Sequence, residues 1–258
     1  MPSTPLPPPR TGTAGWNVPA ALQDEFPGER EHLARYARRM NAVEINSSFY
    51  RSHRDATYAR WAAATPAGFR FAVKLPRSIT HDRKLREADE PLAQFLGEVA
   101  GLGDKLGPLL VQLPPSLAFD PDVAGAFFER LRQRHAGAVV CEPRHASWFG
   151  LDADASLVAH RIGRVAADPA LSDAAAQPGG WVGAARDGRG GTVYLRLHGS
   201  PRRYWSSYET ESLRHWHAQL AAYPKAEAWC IFDNTASGAA LANALEFQRL
   251  GVPAAAAA

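Results

Sequence analysis

Short stretches of this chain alternate apolar and polar residues, and the stretches between them place apolar residues three and four positions apart. Val43 and Ile45 share one parity and Glu44 and Asn46 the other, so an extended backbone sends the two pairs to opposite faces. Phe69, Phe71 and Val73 alternate in the same way with Arg70, Ala72 and Lys74, and Val193, Leu195 and Leu197 alternate with Tyr194, Arg196 and His198. Further strands are predicted over residues 11–16, 109–113, 138–142, 164–168 and 228–232. Helical spacing over residues 31–40 comes from Leu33, Tyr36, Ala37 and Met40. The same pattern recurs over 55–63, 91–102, 121–132, 153–161, 209–223 and 237–250. A polar loop is predicted over 76–89, and the Gly/Ala/Pro-rich region 169–191 carries at most a weak helix.

About eight strands alternating with helices is the pattern of a single (β/α)8 TIM-type barrel with parallel strands. An open, doubly wound sheet is the alternative, lowered by the lack of Gly-x-Gly-x-x-Gly after the first strand. We expect one barrel over residues 11–251, a disordered Pro-rich leader over 1–10 and a tail over 252–258.

Composition narrows the picture modestly. Hydrophobic residues make up 46% of the 258, as in an ordinary globule, and no run approaches the roughly 18 to 20 apolar residues of a membrane span. The leader lacks the apolar core of a signal peptide, so the cytoplasm is the expected location. Cys141 and Cys230 sit alone in apolar strand-like runs and read as core residues rather than as a zinc or disulfide pair. A formal net charge of +3 permits an anionic partner without requiring one.

Strands between crossover helices are buried on both faces, so polar residues at their C-terminal ends need a reason. In a barrel these ends form one rim. The rim residues are Asn17, Glu44, Asn46, Lys74, Gln112, Glu142 with Arg144 and His145, Asp168, Arg196, His198, Asp233 and Asn234; Tyr50 and Trp148 follow in adjoining loops. A mutually neutralised network of structural plugs is the plain reading of any single member. A ring this broad is better explained by a pocket.

Six blocks carry a resemblance: Val-Glu-Ile-Asn-Ser-Ser-Phe-Tyr (43–50), Phe-Arg-Phe-Ala-Val-Lys (69–74), Leu-Leu-Val-Gln-Leu-Pro-Pro (109–115), Glu-Pro-Arg-His-Ala-Ser-Trp (142–148), Tyr-Leu-Arg-Leu-His-Gly (194–199) and Phe-Asp-Asn (232–234). In this order they resemble the domain-of-unknown-function 72, or YecE-like, family of TIM barrels, over nearly the whole chain. The resemblance implies a single barrel with its site built from these blocks, and brings no reaction with it. Pro143 and Asp233 depart from the family pattern, the second altering the charge of the rim.

Several chemistries fit the rim. Glu44, Glu142, Asp168 and His198 are the candidate catalytic acids and bases of a hydrolase or lyase. Lys74 and Arg196 are the candidate holders of a phosphate-bearing or other anionic substrate. Paired carboxylates with Tyr50, Trp148 and Trp205 as platforms would suit a glycosidase. Glu142, Asp168 and His198 could bind a divalent ion as in a metal-dependent hydrolase, but Lys74, Arg144 and Arg196 in the same ring oppose a cation, so we expect neither metal nor cofactor. A non-catalytic module is the remaining reading: Arg51, Arg54, Arg77, Arg83, Lys84, Arg86, Arg144, Arg202 and Arg203 interleave with Tyr50, Trp148, Tyr204 and Trp205 in the loops and would suit nucleic acid or another polyanion.

Overall fold

The computed structural model describes residues 8–28, 31–182 and 191–251. Most of the expected leader and the whole expected tail lie outside them. The strands are β1 (Arg10–Thr13), β2 (Ala42–Ile45), β3 (Arg70–Lys74), β4 (Leu106–Gln112), β5 (Val139–Glu142), β6 (Gly163–Arg164), β7 (Ala166–Asp168), β8 (Gly179–Gly180), β9 (Thr192–Leu197) and β10 (Glu227–Phe232). Between them run α1 (His32–Tyr36), α2 (Asp55–Ala63), α3 (Asp89–Val99), α4 (Pro121–Arg134), α5 (Leu151–Ala159), α6 (Thr210–Ala221) and α7 (Ala239–Leu250). The fold is α/β, as the alternation predicts. Local chemistry sets the boundaries: α4 starts where Pro121 fills its first turn and Asp120 accepts hydrogen bonds from the Asp122 and Val123 amides.

The backbone ladders form two sheets, in the orders β1-β10-β9-β7 and β2-β3-β4-β5-β6-β8. All pairings are parallel except β6 with β8. The expectation is a single closed (β/α)8 barrel of parallel strands; the ladders instead run in two sheets, with two seams between them. At one, a single bridge joins Ala14 to Glu44, with the Gly15 amide donating to the Glu44 carbonyl at 2.9 Å. At the other, the chain itself passes from one sheet to the next between Arg164 and Ala166, where the Val165 amide still reaches the Cys141 carbonyl. The stretch between β7 and β9 holds the two-residue β8 and no helix among the described residues.

Two apolar clusters follow from strand parity. The larger lies between the sheets and the helices and takes Val43, Ile45, Phe71, Val73, Leu109, Val111, Leu195 and Leu197 from the strands. The smaller contains Ala42, Ala72, Leu110, Val140, Val165, Tyr194, Trp229 and Ile231, contributed by both sheets, all but sealed from solvent. Beyond it toward the strand C-termini, on the same parity, come Glu44, Lys74, Gln112, Glu142, Arg196 and Asp233. Residues 76–89 are more ordered than a polar loop suggests. Ser78–Asp82 make a wide helical turn, Leu85 is buried, and Lys84, Leu85 and Glu87 adopt positive φ of 49°, 70° and 46°.

Candidate functional site

Arg196, on β9, is fully buried and lies at the centre of the polar cluster. Its Nε and Nη2 donate to the two oxygens of Glu44 at 3.0 and 2.8 Å, a bidentate clamp. Nη1 reaches Glu142 Oε2 at 2.5 Å and Nη2 also reaches Asp233 Oδ2 at 3.0 Å. The Tyr194 hydroxyl donates to Glu44 Oε2 at 2.9 Å, Gln112 to Glu142 Oε1 at 3.3 Å and Arg144 Nε to the same oxygen at 2.9 Å. His198 is buried with Nδ1 3.1 Å from Asp233 Oδ2. Its Nε2 is 3.4 Å from Glu142 Oε1 but makes no hydrogen bond.

These contacts set the protonation states. Burial alone would raise the Glu142 carboxyl, but Arg196, Arg144 and His198 hold it well below the ordinary carboxylate value. Asp233 is lowered for the same reason, by Arg196, His198 and Lys74 against its burial. Arg196, penalised by burial, is held charged by Glu44, Glu142 and Asp233. Lys74 is different. Burial, and after it the Arg196 charge, push its ammonium down to about 8 against the pull of Glu44, Glu142 and Asp233. Its Nζ sits 4.0 Å from the centre of the Phe49 ring and has no hydrogen-bond or ion-pair partner among the described residues. Solvent reaches the cluster at its edge: the side chains of Arg144 and Asp233 are 19% and 11% exposed, that of Arg196 not at all. Tyr204 roofs this edge, its hydroxyl accepting from Arg144 Nη2 at 3.2 Å and its ring against His198.

Seven of the residues expected at the rim therefore meet: Glu44, Lys74, Gln112, Glu142, Arg196, His198 and Asp233, with Arg144 beside them. Others do not join. Asp168 faces another recess, where Tyr208 donates to its carboxylate at 2.6 Å beside Glu209 and Trp216. Val165 holds the inward parity of that strand, so Asp168 points outward. The alternative grouping of Glu142, Asp168 and His198 around a metal ion does not form, and among the described residues no cluster of three His, Cys, Asp or Glu side chains is arranged to hold one. Trp148, expected as a platform, is 1% exposed, packs on Phe119 and Phe128 and donates to the Leu117 carbonyl. His145 caps the following turn through Ser147. Asn234 is tied to the Ser206 carbonyl and Asn243. Asn17 and Asn46 line a separate recess with Trp16 and Trp61, and Tyr50, 78% exposed, stands over another with Arg77. Tyr194 and Phe49 belong to the site and were missed. The parity Tyr194 shares with Arg196 was a usable signal, whereas Phe49 lies in a turn with none.

The family model for "Protein of unknown function DUF72" matches residues 10–257. The chain belongs to the DUF72 family. Among relatives, "UPF0759 protein YecE" of Escherichia coli (strain K12) is 35% identical to this DUF72 chain over 82 residues, and "UPF0759 protein YunF" of Bacillus subtilis (strain 168) is 27% identical over 146. These segments cover 32% and 54% of this chain, and only 30% and 51% of the relatives' own lengths. DUF72 family proteins of Enterococcus faecalis V583 and Thermotoga maritima MSB8 share the fold. Each superposes with a TM-score of 0.72, at 20% and 21% identity, over 93% of this chain and 94% and 98% of theirs. No helix among the described residues is long and apolar enough to cross a membrane.

Proposed function

We propose that this DUF72 chain is an enzyme that works by acid–base chemistry on a small anionic substrate, at the polar cluster formed by the strand ends. The observation that carries this reading is the placement of Lys74: its buried amine lies over the Phe49 ring with no hydrogen-bond or ion-pair partner among the described residues, beside a network whose other cations are committed to carboxylates, and burial pushes it down to about 8. Arg144, at the solvent edge, supplies a fixed positive charge, and Glu142, His198 and Asp233 supply proton-handling groups in contact with one another. Arg196 takes a different role from the one its charge suggested. With all its bonds spent on Glu44, Glu142 and Asp233, it orients carboxylates rather than holding substrate.

We further propose that the two sheets are the halves of one (β/α)8 barrel. The Ala14–Glu44 bridge, the shared inner cluster and the span of Arg196 from β9 to β2 and β5 support closure. The buried, unbridged Cys141 and Cys230 accord with a reducing cytoplasm.

A second reading, nucleic-acid binding, is favoured by the exposed Tyr50, Tyr204 and Trp205, with the Arg202 guanidinium 4.5 Å above the Trp205 ring. Several loop arginines are already paired, Arg77 with Asp82 and Arg86 with Asp120, which weakens it. Calorimetric titration with inorganic phosphate and oxalate, beside single-stranded oligonucleotides at several salt concentrations, separates the two. Small-anion binding that Arg144→Met weakens is the expected result. Oligonucleotide binding that falls steeply with salt, with no response to small anions, would favour the second reading.

A further inference from the structure

Two of the four lysines of this chain are drawn into the structure, and they are held in opposite ways. Lys105 Nζ donates to the Ala62 and Thr65 carbonyls and to the Thr65 hydroxyl, which closes the C-terminal end of α2. Lys74 Nζ has no such oxygen among the described residues. It lies over the Phe49 ring, at the end of β3, facing a cluster whose guanidiniums and carboxylates are already bonded to one another. A lysine placed only to hold an anion gains from neighbours that keep it charged. Here the largest influence after burial is the charge of Arg196, and the carboxylates that pull the other way have partners of their own. His81, half-buried against the Phe49 ring, lies within electrostatic reach of both Lys74 and Arg144.

We propose that Lys74 is a nucleophile that forms an imine with a small carbonyl compound bearing a negatively charged group, such as a 2-oxo acid. The proposal rests on the acid–base reading above and names its substrate class. The neutral amine adds its lone pair to the carbonyl carbon, forming the C–N bond. The carbonyl oxygen takes one proton from the amine nitrogen and one from His198, which Glu142 and Asp233 flank, the C–O bond breaks, and water leaves. Nothing is oxidised or reduced, and the product is a protonated imine on Lys74. Arg144 faces the substrate's anionic group, and the carboxylates around Arg196 stabilise the cationic imine. A value of about 8 in place of 10.5 leaves on the order of a hundredfold more free amine at neutral pH, which is how desolvated lysines become nucleophiles.

The test is reductive trapping of the full chain with pyruvate and cyanoborohydride, read by intact mass and by peptide mapping of Lys74, Lys84, Lys105 and Lys225. The expected result is a single adduct on Lys74, formed roughly tenfold or more faster than on any other lysine. It should be slowed by oxalate, slower with uncharged acetaldehyde, and absent in Lys74→Arg protein whose melting temperature is retained. Labelling spread evenly over the lysines, or no labelling of Lys74 in protein that still binds oxalate and phosphate, overturns the imine and leaves the anionic-substrate reading standing. No trapping together with no binding of either anion overturns both.

Discussion

Lys74 shows what a single side chain costs and supplies. Its folded value of about 8 lies below the ordinary 10.5, so the fold disfavours its charged form. At neutral pH that penalty is fully present. As the pH rises from about 8 to 10.5 the unfolded chain holds the proton that the folded chain has released, so this group's contribution to stability improves across that window. Lys74→Met, which keeps the length of the side chain and removes the charge, should therefore stabilise the protein by on the order of 1 to 3 kcal/mol at pH 7. The gain should shrink above pH 8. Thermal melts of both proteins from pH 7 to 10 check this, and a Met variant less stable at pH 7 would mean that the amine is a structural cation. The same position was legible from the alternation of Phe69 to Lys74; its lack of a partner was not, because the partners that failed to reach it lie on other strands.

The strands as elements turn on the two seams, and each has a glycine set against the backbone of the facing strand. A Cβ on Gly12 of β1 would stand 2.1 Å from the Ala42 carbonyl oxygen of β2, and one on Gly163 of β6 would stand 2.4 Å from the Thr192 carbonyl oxygen of β9. Both neighbours are backbone, so neither can swing aside. The bare backbone lets strands that share few or no ladder bonds approach closely, and Tyr36 reinforces the first seam by accepting from the Thr13 amide and donating to the Ala42 carbonyl. Gly12→Ala should force β1 from β2 and cost on the order of 3 kcal/mol in urea denaturation. Faster exchange of the Gly15 amide, which bonds Glu44 across the seam, should accompany it. An alanine variant of wild-type stability would show that the strands are not held so close. Neither glycine stood out in the sequence, since a close approach between strands some 30 residues apart leaves no local mark.

At the scale of the whole molecule, Arg196 ties both sheets together through Glu44 and Glu142 on one side and Asp233 on its own. Glu142 and Asp233 titrate below their ordinary 4.5 and 3.8, so their stabilising contribution is complete above those values and is lost as the pH falls through the lowered folded ones. Arg196→Met leaves the carboxylates buried without their partner and should cost about 3 to 5 kcal/mol at pH 7. In that variant the acids are raised rather than lowered, so acidification should relieve it. Melting curves of the two proteins should thus converge between pH 7 and 4, and a gap that stays constant would mean that Arg196 acts through packing alone.

Period-two alternation is a local property, and it determined a good deal by itself: an α/β chain of parallel strands and the parity that sends Glu44, Lys74, Gln112, Glu142 and Arg196 to one side; the six motif blocks, not the alternation, carried the resemblance to the family. It was silent where alternation fails. In Val165-Ala166-Ala167 small apolar residues occupy both parities, so only packing against the inner cluster turned Val165 inward and Asp168 out toward Tyr208. Trp148 follows a turn, and its place was decided by Phe119 and Phe128 from another part of the chain. Which cation serves which carboxylate was likewise a tertiary decision. Arg196 and Glu44 are 152 residues apart in sequence, and only the folded chain brought them within 2.8 Å, consuming one expected anion holder and leaving Lys74 without a partner among the described residues.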